Sequence, residues 1–371
     1  MNQIQKAAFI KWGSFSHINS SVLEILTTNF PDFQIEVIDI SEVLDKNDPL
    51  ILYHCLREYG VDLLTGKKTI EGSLLRTPYA FNKVKQAILK KLVNLNYAFT
   101  FQTQSIFDFS LPGIPHFTYT DHTHLASLKY PEFNHERLMS KRWIMCETKI
   151  YHNATLNFTM CSNISQSMIE DYSCNSNNVS CVYCGANVQA KEEEIFDEKR
   201  FSNKNILFVG VDWQRKGGPV LIDAFRKVLE TYPDATLTIV GCTPKLDLPN
   251  CNIVGRIPPS DLKKYFEQAS VFCLPTNIEP FGVVFLEAMS YKLPIIAKNI
   301  GAIPDFVFEG KNGYKLEPNN PQQLAQKLIE LIGSPDRCKI FGEYGHKIFW
   351  DRYTWKKTGI RIRKKIEPFL I

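Results

Sequence analysis

Two α/β domains, each built on a parallel sheet, are what this sequence predicts, and three observations carry that prediction. Short apolar runs alternate with helix-length segments in both halves, the pattern of strands joined by crossover helices. The length, 371 residues, suits two domains at roughly 100–200 residues each. A polar segment without a core face, Lys191 to Arg200 (KEEEIFDEKR), reads as the linker between the halves. The predicted division is residues 1–188, residues 189–348 and a C-terminal segment 349–371.

Composition excludes several classes. Hydrophobic residues make up 44% of the chain and charged residues 22%, ordinary for a soluble globular protein. The net charge of +4 is mild and no aromatic-plus-basic signature accompanies it, so nucleic acid is not an expected partner. The N-terminal apolar run is too short for a signal peptide, and no run approaches ~18 apolar residues. The expected location is therefore the cytoplasm, with at most a peripheral contact on the inner face of a membrane. Cys181 and Cys184 form a lone CxxC with no second pair at zinc spacing. Alternation around them suggests a strand with buried thiols, and no metal site is expected.

In the first half, Lys6 to Trp12 reads as a strand. It runs through Gly13-Ser14-Phe15-Ser16-His17 into a helix with Val22, Leu23, Ile25 and Leu26 on its apolar face. Gly13 lets a phosphate or sugar approach the backbone, or makes a tight turn with no ligand. Phe33 to Ile40 is the second strand. Between Thr65 and Asn96, Lys67, Lys68, Arg76, Lys83, Lys85, Lys90 and Lys91 stand against one acid, Glu71. Val84, Ala87, Ile88, Leu89, Leu92 and Val93 recur there at near-helical spacing. Such a basic amphipathic helix suits an anionic membrane surface or acceptor, and more often is an ordinary surface helix with a solvated face. The strand PHFTYT ends in Asp121-His122-Thr123-His124. Ligands of open α/β sheets bind beyond those strand ends, and a histidine there accepts hydrogen bonds or changes charge near neutral pH.

In the second half, Lys204 to Val209 opens a new unit. The loop Gly210 to Gly218 follows, carrying Arg215 and Lys216, and then a helix. No Asp-x-Asp triple offers to hold a divalent metal, so a phosphate's charge would be met by cations and helix termini. Ser270 to Pro275 reads as a buried strand. The stretch Glu279-Pro280-Phe281-Gly282-Val283-Val284-Phe285-Leu286-Glu287 then leads into a buried helix ending near Tyr291 to Pro294. A helix start after a strand is an anion site because unpaired N–H groups point outward there. At ~1.5 Å rise per residue, Glu279 and Glu287 stand roughly 12 Å apart, wider than the ~5–9.5 Å of a glycosidase acid pair. That span suits an elongated ligand touched at both ends with anionic groups between, which is the shape of a nucleotide-sugar. The plain structural alternative is a cap-region residue and a solvated helix carboxylate.

This Glu-x7-Glu stretch resembles the motif of the retaining glycosyltransferases of family 4, which have the GT-B fold of two Rossmann-like domains facing a central cleft. The loop at Gly210 to Gly218 is similar to the family's Gly-Arg…Lys-Gly loop, whose cations grip the donor diphosphate. Val211 stands where the family places Arg, which leaves Arg215 and Lys216 for that role. Gly255-Arg256-Ile257 lies where the family binds the base, largely through backbone. His122-Thr123 resembles the family's His-Thr pair at the transferred sugar. The loop at Gly13 is poorer in glycine than the family's, and Asp305 replaces a common Glu. In GT-B proteins a tail like Phe349 to Ile371 crosses back to the first domain.

The resemblance implies a hexosyltransferase that moves a sugar from a nucleotide diphosphate-sugar to a hydroxyl acceptor (glycan, glycolipid or small molecule) with retention, needing no metal and no cofactor. Glu279 would hold sugar hydroxyls with backbone N–H groups of Phe281 to Val284, beside Pro280. Arg215 and Lys216 would stabilise the departing diphosphate, Glu287 the ribose, and His122 the sugar. A sugar-nucleotide epimerase of the same fold and a non-catalytic nucleotide-sugar-binding protein are the alternatives.

Overall fold

The computed structural model describes residues 5–15, 18–42, 48–92, 96–317 and 320–370. Ser16, His17 and Val93, which figure in the sequence reading, lie outside them. The chain divides into two compact units, one of residues 1–129, 133–183 and 358–371, the other of residues 130–132 and 184–357.

The first unit contains, in chain order, β1 (Gln5–Lys11), α1 (Ile18–Asn29), β2 (Phe33–Asp39), α2 (Pro49–Leu64), α3 (Ile70–Ser73), α4 (Pro78–Leu92), β3 (Tyr97–Thr103), β4 (His116–Thr120), α5 (Lys141–Asn153), β5 (Leu156–Thr159), α6 (Ser162–Glu170) and β6 (Val179–Cys181). Its sheet runs in the order β2-β1-β3-β4-β5-β6, parallel throughout. The central strands are covered on both faces, so β4 and β5 are buried along their whole length, as parallel sheets require. Phe99, Phe101, Phe117 and Phe158 fill the middle of the core, with Phe101 stacked on Phe158 at 6.2 Å between ring centroids.

The basic stretch from Thr65 to Asn96 is not one helix. α3 is a single turn, and α4 begins at Pro78 with Thr77 Oγ1 accepting from Ala80 N at 3.1 Å. The apolar face of α4 (Ala80, Phe81, Val84, Ile88, Leu92) is buried. Two of its four lysines are matched, Lys83 by Asp48 and Lys85 by Asp108 at 2.9 Å. That face is in the core and is not free to lie on a bilayer. α2 was not legible, because apolar residues surround it rather than forming one stripe.

The second unit contains β7 (Asn205–Val209), α7 (Gly218–Thr231), β8 (Thr236–Val240), β9 (Cys251–Gly255), α8 (Lys263–Gln268), β10 (Val271–Leu274), α9 (Val283–Ser290), β11 (Ile295–Lys298), α10 (Ile303–Phe306), β12 (Gly313–Leu316), α11 (Pro321–Ile332) and α12 (Pro335–Arg352), and α13 (Trp355–Ile366) starts within it. Its sheet order is β12-β11-β10-β7-β8-β9, again parallel. The expected linker, Lys191 to Arg200, lies inside this unit, and the division falls at Tyr183/Cys184. Arg200 shows why: it is buried and donates through Nη2 to Tyr291 O at 2.7 Å. Residues from Thr358 onward belong to the first unit.

Candidate functional site

β7 and β10 are neighbours in the second sheet, so the loops leaving their C-terminal ends, 210–217 and 275–282, lie side by side where α/β sheets bind ligands. Three hydrogen bonds stitch the loops together. Asn277 N donates to Arg215 O at 2.8 Å, Thr276 Oγ1 to the same carbonyl at 3.2 Å, and Arg215 Nη1 to Ile278 O at 2.9 Å. Gly217 makes the approach possible. Its φ is +77°, and a Cβ there would lie 1.9 Å from Pro275 O, closer than any side chain tolerates.

Between these loops Lys216 and Glu279 meet. Both are buried, and Lys216 Nζ donates directly to Glu279 Oε2. Beside them α9 begins at Gly282, with φ +85° and no side chain capping the helix start. Phe281 is buried against Phe306, while Pro280, Val283 and Val284 are half-buried around the turn. Arg215 is half-exposed, its Nε 3.6 Å from Asp212. A cation, a helix start and exposable N–H groups thus converge, which favours an anionic ligand.

Glu287, on the second turn of α9, is not the solvated carboxylate of the plain alternative. It is buried, and Oε1 accepts from Val188 N at 3.3 Å. Burial pushes its pKa up to about 7, against the lowering effect of the Val188 and Asn187 backbone N–H groups. Arg256 is exposed and Ile257 half-buried beyond β9, the edge strand. β8 lies between β9 and β7, so those two residues are not brought against the Lys216–Glu279 pair by the sheet.

Gly13 and His122 belong to the first unit. Gly13 is a turn residue whose backbone is already engaged: its N–H donates to Asp39 Oδ1 at 3.0 Å, and its carbonyl accepts from Asn19 Nδ2 at 2.9 Å. That removes it as a free backbone donor to a phosphate. His122 lines a cavity of about 170 Å³ with Arg76, Gln104, Asp121, Trp143 and Glu147. Its Nε2 lies 2.9 Å from Ser127 Oγ. Burial, and then the Arg76 charge, lower its pKa to about 4, so it is neutral at pH 7. His124 is structural, its Nε2 accepting from Met139 N at 2.8 Å.

Sequence reasoning missed the group that holds this loop. Glu147, buried on α5, accepts from His124 N and Tyr151 OH at 3.0 Å each, and from Tyr172 OH. The one signal was Glu147 and Tyr151 at i and i+4 on one face of α5. Lys298, buried on β11, was also missed; it donates to Asn277 and steadies the turn before Glu279.

Residues 190–348 match the family described as Glycosyl transferases group 1. The chain is 28% identical over 271 residues to a D-inositol 3-phosphate glycosyltransferase of Corynebacterium urealyticum, covering 65% of this chain and 63% of that one. It spans about a third to just under two-thirds of the length of the curated relatives it matches. Among solved structures it is similar to the sucrose-phosphate synthase of Thermosynechococcus elongatus (TM-score 0.70, 15% identity, 98% of both chains). It is also similar to an Anabaena protein in complex with UDP and glucose (TM-score 0.64, 15% identity, 98% of this chain and 99% of that one). Residues 190–348 are therefore a group 1 glycosyltransferase domain, and the chain has the GT-B fold of two Rossmann-like units.

Proposed function

We propose that this protein transfers a sugar from a nucleotide diphosphate-sugar to a hydroxyl acceptor, with retention and without a divalent metal. The observation that carries the reading is the buried Lys216–Glu279 pair beside the uncapped start of α9. The donor diphosphate sits against Lys216, Arg215 and the N–H groups from Phe281 to Val284, which replace a metal as the positive partner of the leaving group. As the bond from the anomeric carbon to the diphosphate oxygen breaks, the acceptor oxygen forms the new bond on the same face. Its proton passes to a diphosphate oxygen.

Glu279, oriented by Lys216, accepts hydrogen bonds from sugar hydroxyls. Glu287 accepts from the ribose, and Arg256 and Ile257 flank the base. His122 serves the sugar as a neutral hydrogen-bond partner, because its lowered pKa makes a cationic role costly at pH 7. The UDP and glucose in the Anabaena structure support the donor class, and the D-inositol 3-phosphate glycosyltransferase supports a hydroxyl acceptor. No helix among the described residues is long and apolar enough to cross a membrane. We place the protein in the cytoplasm, in peripheral contact with a membrane's inner face through a surface other than α4.

A panel of UDP-, GDP- and ADP-sugars incubated with the protein in EDTA tests this. NMR should show sugar transferred or slowly hydrolysed with the donor's anomeric configuration kept. Inverted product, strict metal dependence, or epimerised donor with no transfer would each contradict it.

A further inference from the structure

Glu147 is tied to His122 from two sides and has no part in the proposed transfer. It is buried on α5 and makes no ion pair among the described residues. Its Oε1 accepts from His124 N at 3.0 Å. Its Oε2 accepts from Tyr172 OH, whose oxygen accepts from Leu125 N at 2.9 Å. Two successive N–H groups of the turn after His122 therefore end on this carboxyl, one directly and one through a hydroxyl.

The second connection runs through side chains. Tyr151 OH lies 3.0 Å from Glu147 Oε1 and 3.0 Å from Ser105 Oγ. Ser105 Oγ lies 3.3 Å from His122 O, which also accepts from Thr120 Oγ1 at 3.0 Å. Tyr151 has one hydroxyl hydrogen for its two acceptors. An ionised Glu147 takes that hydrogen, because a charged acceptor makes the stronger bond. A protonated Glu147 donates to the Tyr151 oxygen instead. The Tyr151 hydrogen then turns to Ser105, and the Ser105 hydrogen to His122 O. In that state His124 N faces a protonated oxygen, and its bond weakens.

We propose that Glu147 is a positioning residue for the sugar contact. Its ionised form draws the 122–125 turn into the arrangement in which His122 meets the donor sugar, and its protonated form relaxes that turn. The inference rests on the sugar role assigned to His122 in the proposed function. Burial lifts the Glu147 pKa to about 7, against the lowering effect of Tyr172, His124 N, Tyr151 and the Arg76 charge. Asp121 and His122 line the same cavity. Burial holds the pKa of His122 at about 4 and of His124 at about 3, and it holds both tyrosines well above their ordinary value. The histidines stay neutral and the tyrosines protonated while Glu147 titrates.

Glu147→Gln keeps the shape of the side chain and fixes the protonated arrangement at every pH. The first measurement is NMR of the ligand-free full chain, labelled at histidine, threonine and leucine. The amides of Thr123, His124 and Leu125 should shift with a midpoint near pH 7 in wild type and stay put in Glu147→Gln. Tyr151→Phe should keep the His124 response and lose that of Thr123, whose amide follows the His122 carbonyl. The second measurement is kinetic. The wild-type KM for the sugar donor should fall about fivefold as pH rises from about 6 to about 8, the margin of a charge-assisted over a neutral hydrogen bond. Glu147→Gln should hold the acid-side KM throughout, with kcat and the affinity for the nucleoside diphosphate alone as in wild type. That last comparison separates it from Glu287, which titrates in the same range. Amides that ignore pH overturn the proposal, as does a variant that keeps the wild-type KM profile. Equal losses in KM, kcat and nucleoside diphosphate affinity would make Glu147 a packing residue and overturn it too. Should no donor be turned over, the transfer reading fails, and amides that titrate in wild type alone would still show that Glu147 sets the turn.

Discussion

At the scale of single residues, Lys216 and Glu279 have to be judged together. Removing the lysine strands a buried carboxylate and, under the proposed mechanism, also takes away a preorganised contact to the diphosphate. Lys216→Ala should lower turnover by about 3 kcal/mol in transition-state energy. It should also cost roughly 3–5 kcal/mol of stability, so kinetics and thermal melting must both be measured; near-normal turnover would refute the leaving-group role. Glu287 supplies a pH signature. Its folded pKa, about 7, lies above the ordinary 4.5, so the folded state binds this proton more tightly than the unfolded chain does. The stability it contributes is fully present below about pH 4.5, is lost as pH rises toward 7, and stays lost above. Glu287→Gln should therefore melt higher than wild type above pH 7, by on the order of 3 kcal/mol, and match it near pH 4. Nucleotide affinity should fall in the same variant. Unchanged affinity by calorimetry would remove the ribose role, and identical melting profiles would remove the buried charge.

At the scale of elements, the site is a junction of two loops. Gly217→Ala places a Cβ against Pro275 O and forces the loops apart. Donor affinity should fall at least tenfold, about 1.4 kcal/mol, although residue 217 offers no side chain to any ligand. The elements of this junction were legible in sequence because Gly and Pro punctuate them: Gly210, Gly217, Pro275, Pro280 and Gly282 bracket short apolar runs. The pairing across the junction was not legible. Lys216 and Glu279 are 63 residues apart, and nothing local to either in the sequence marks it as the other's partner. Glu147 and Tyr172, 25 residues apart, went unread for the same reason. α2 escaped because helix periodicity reports burial on one side, and here apolar residues also occupy the exposed side.

For the whole molecule, two parallel sheets with the proposed donor-binding residues in the second make a spatial claim. Amide exchange with a saturating nucleoside diphosphate should slow at residues 210–217 and 275–287, and leave the first unit's sheet at its unliganded rates. Protection centred on the first unit would place the nucleotide elsewhere. The parallel character of both sheets followed from strand–helix alternation, whereas their strand orders are seen only in the structure. The division between units was not legible either, since Arg200 draws the acidic stretch into the second unit through contacts with Tyr291 and Lys292.

The most direct measurement is a calorimetric titration of the wild-type protein with UDP, GDP and ADP in the presence of EDTA. At least one should bind in the micromolar to low-millimolar range, a free energy of about −4 to −8 kcal/mol, and Lys216→Ala should weaken it. Absence of binding by all three at millimolar concentration, or binding that appears only when a divalent metal is added, would contradict a diphosphate held by Lys216, Arg215 and the start of α9.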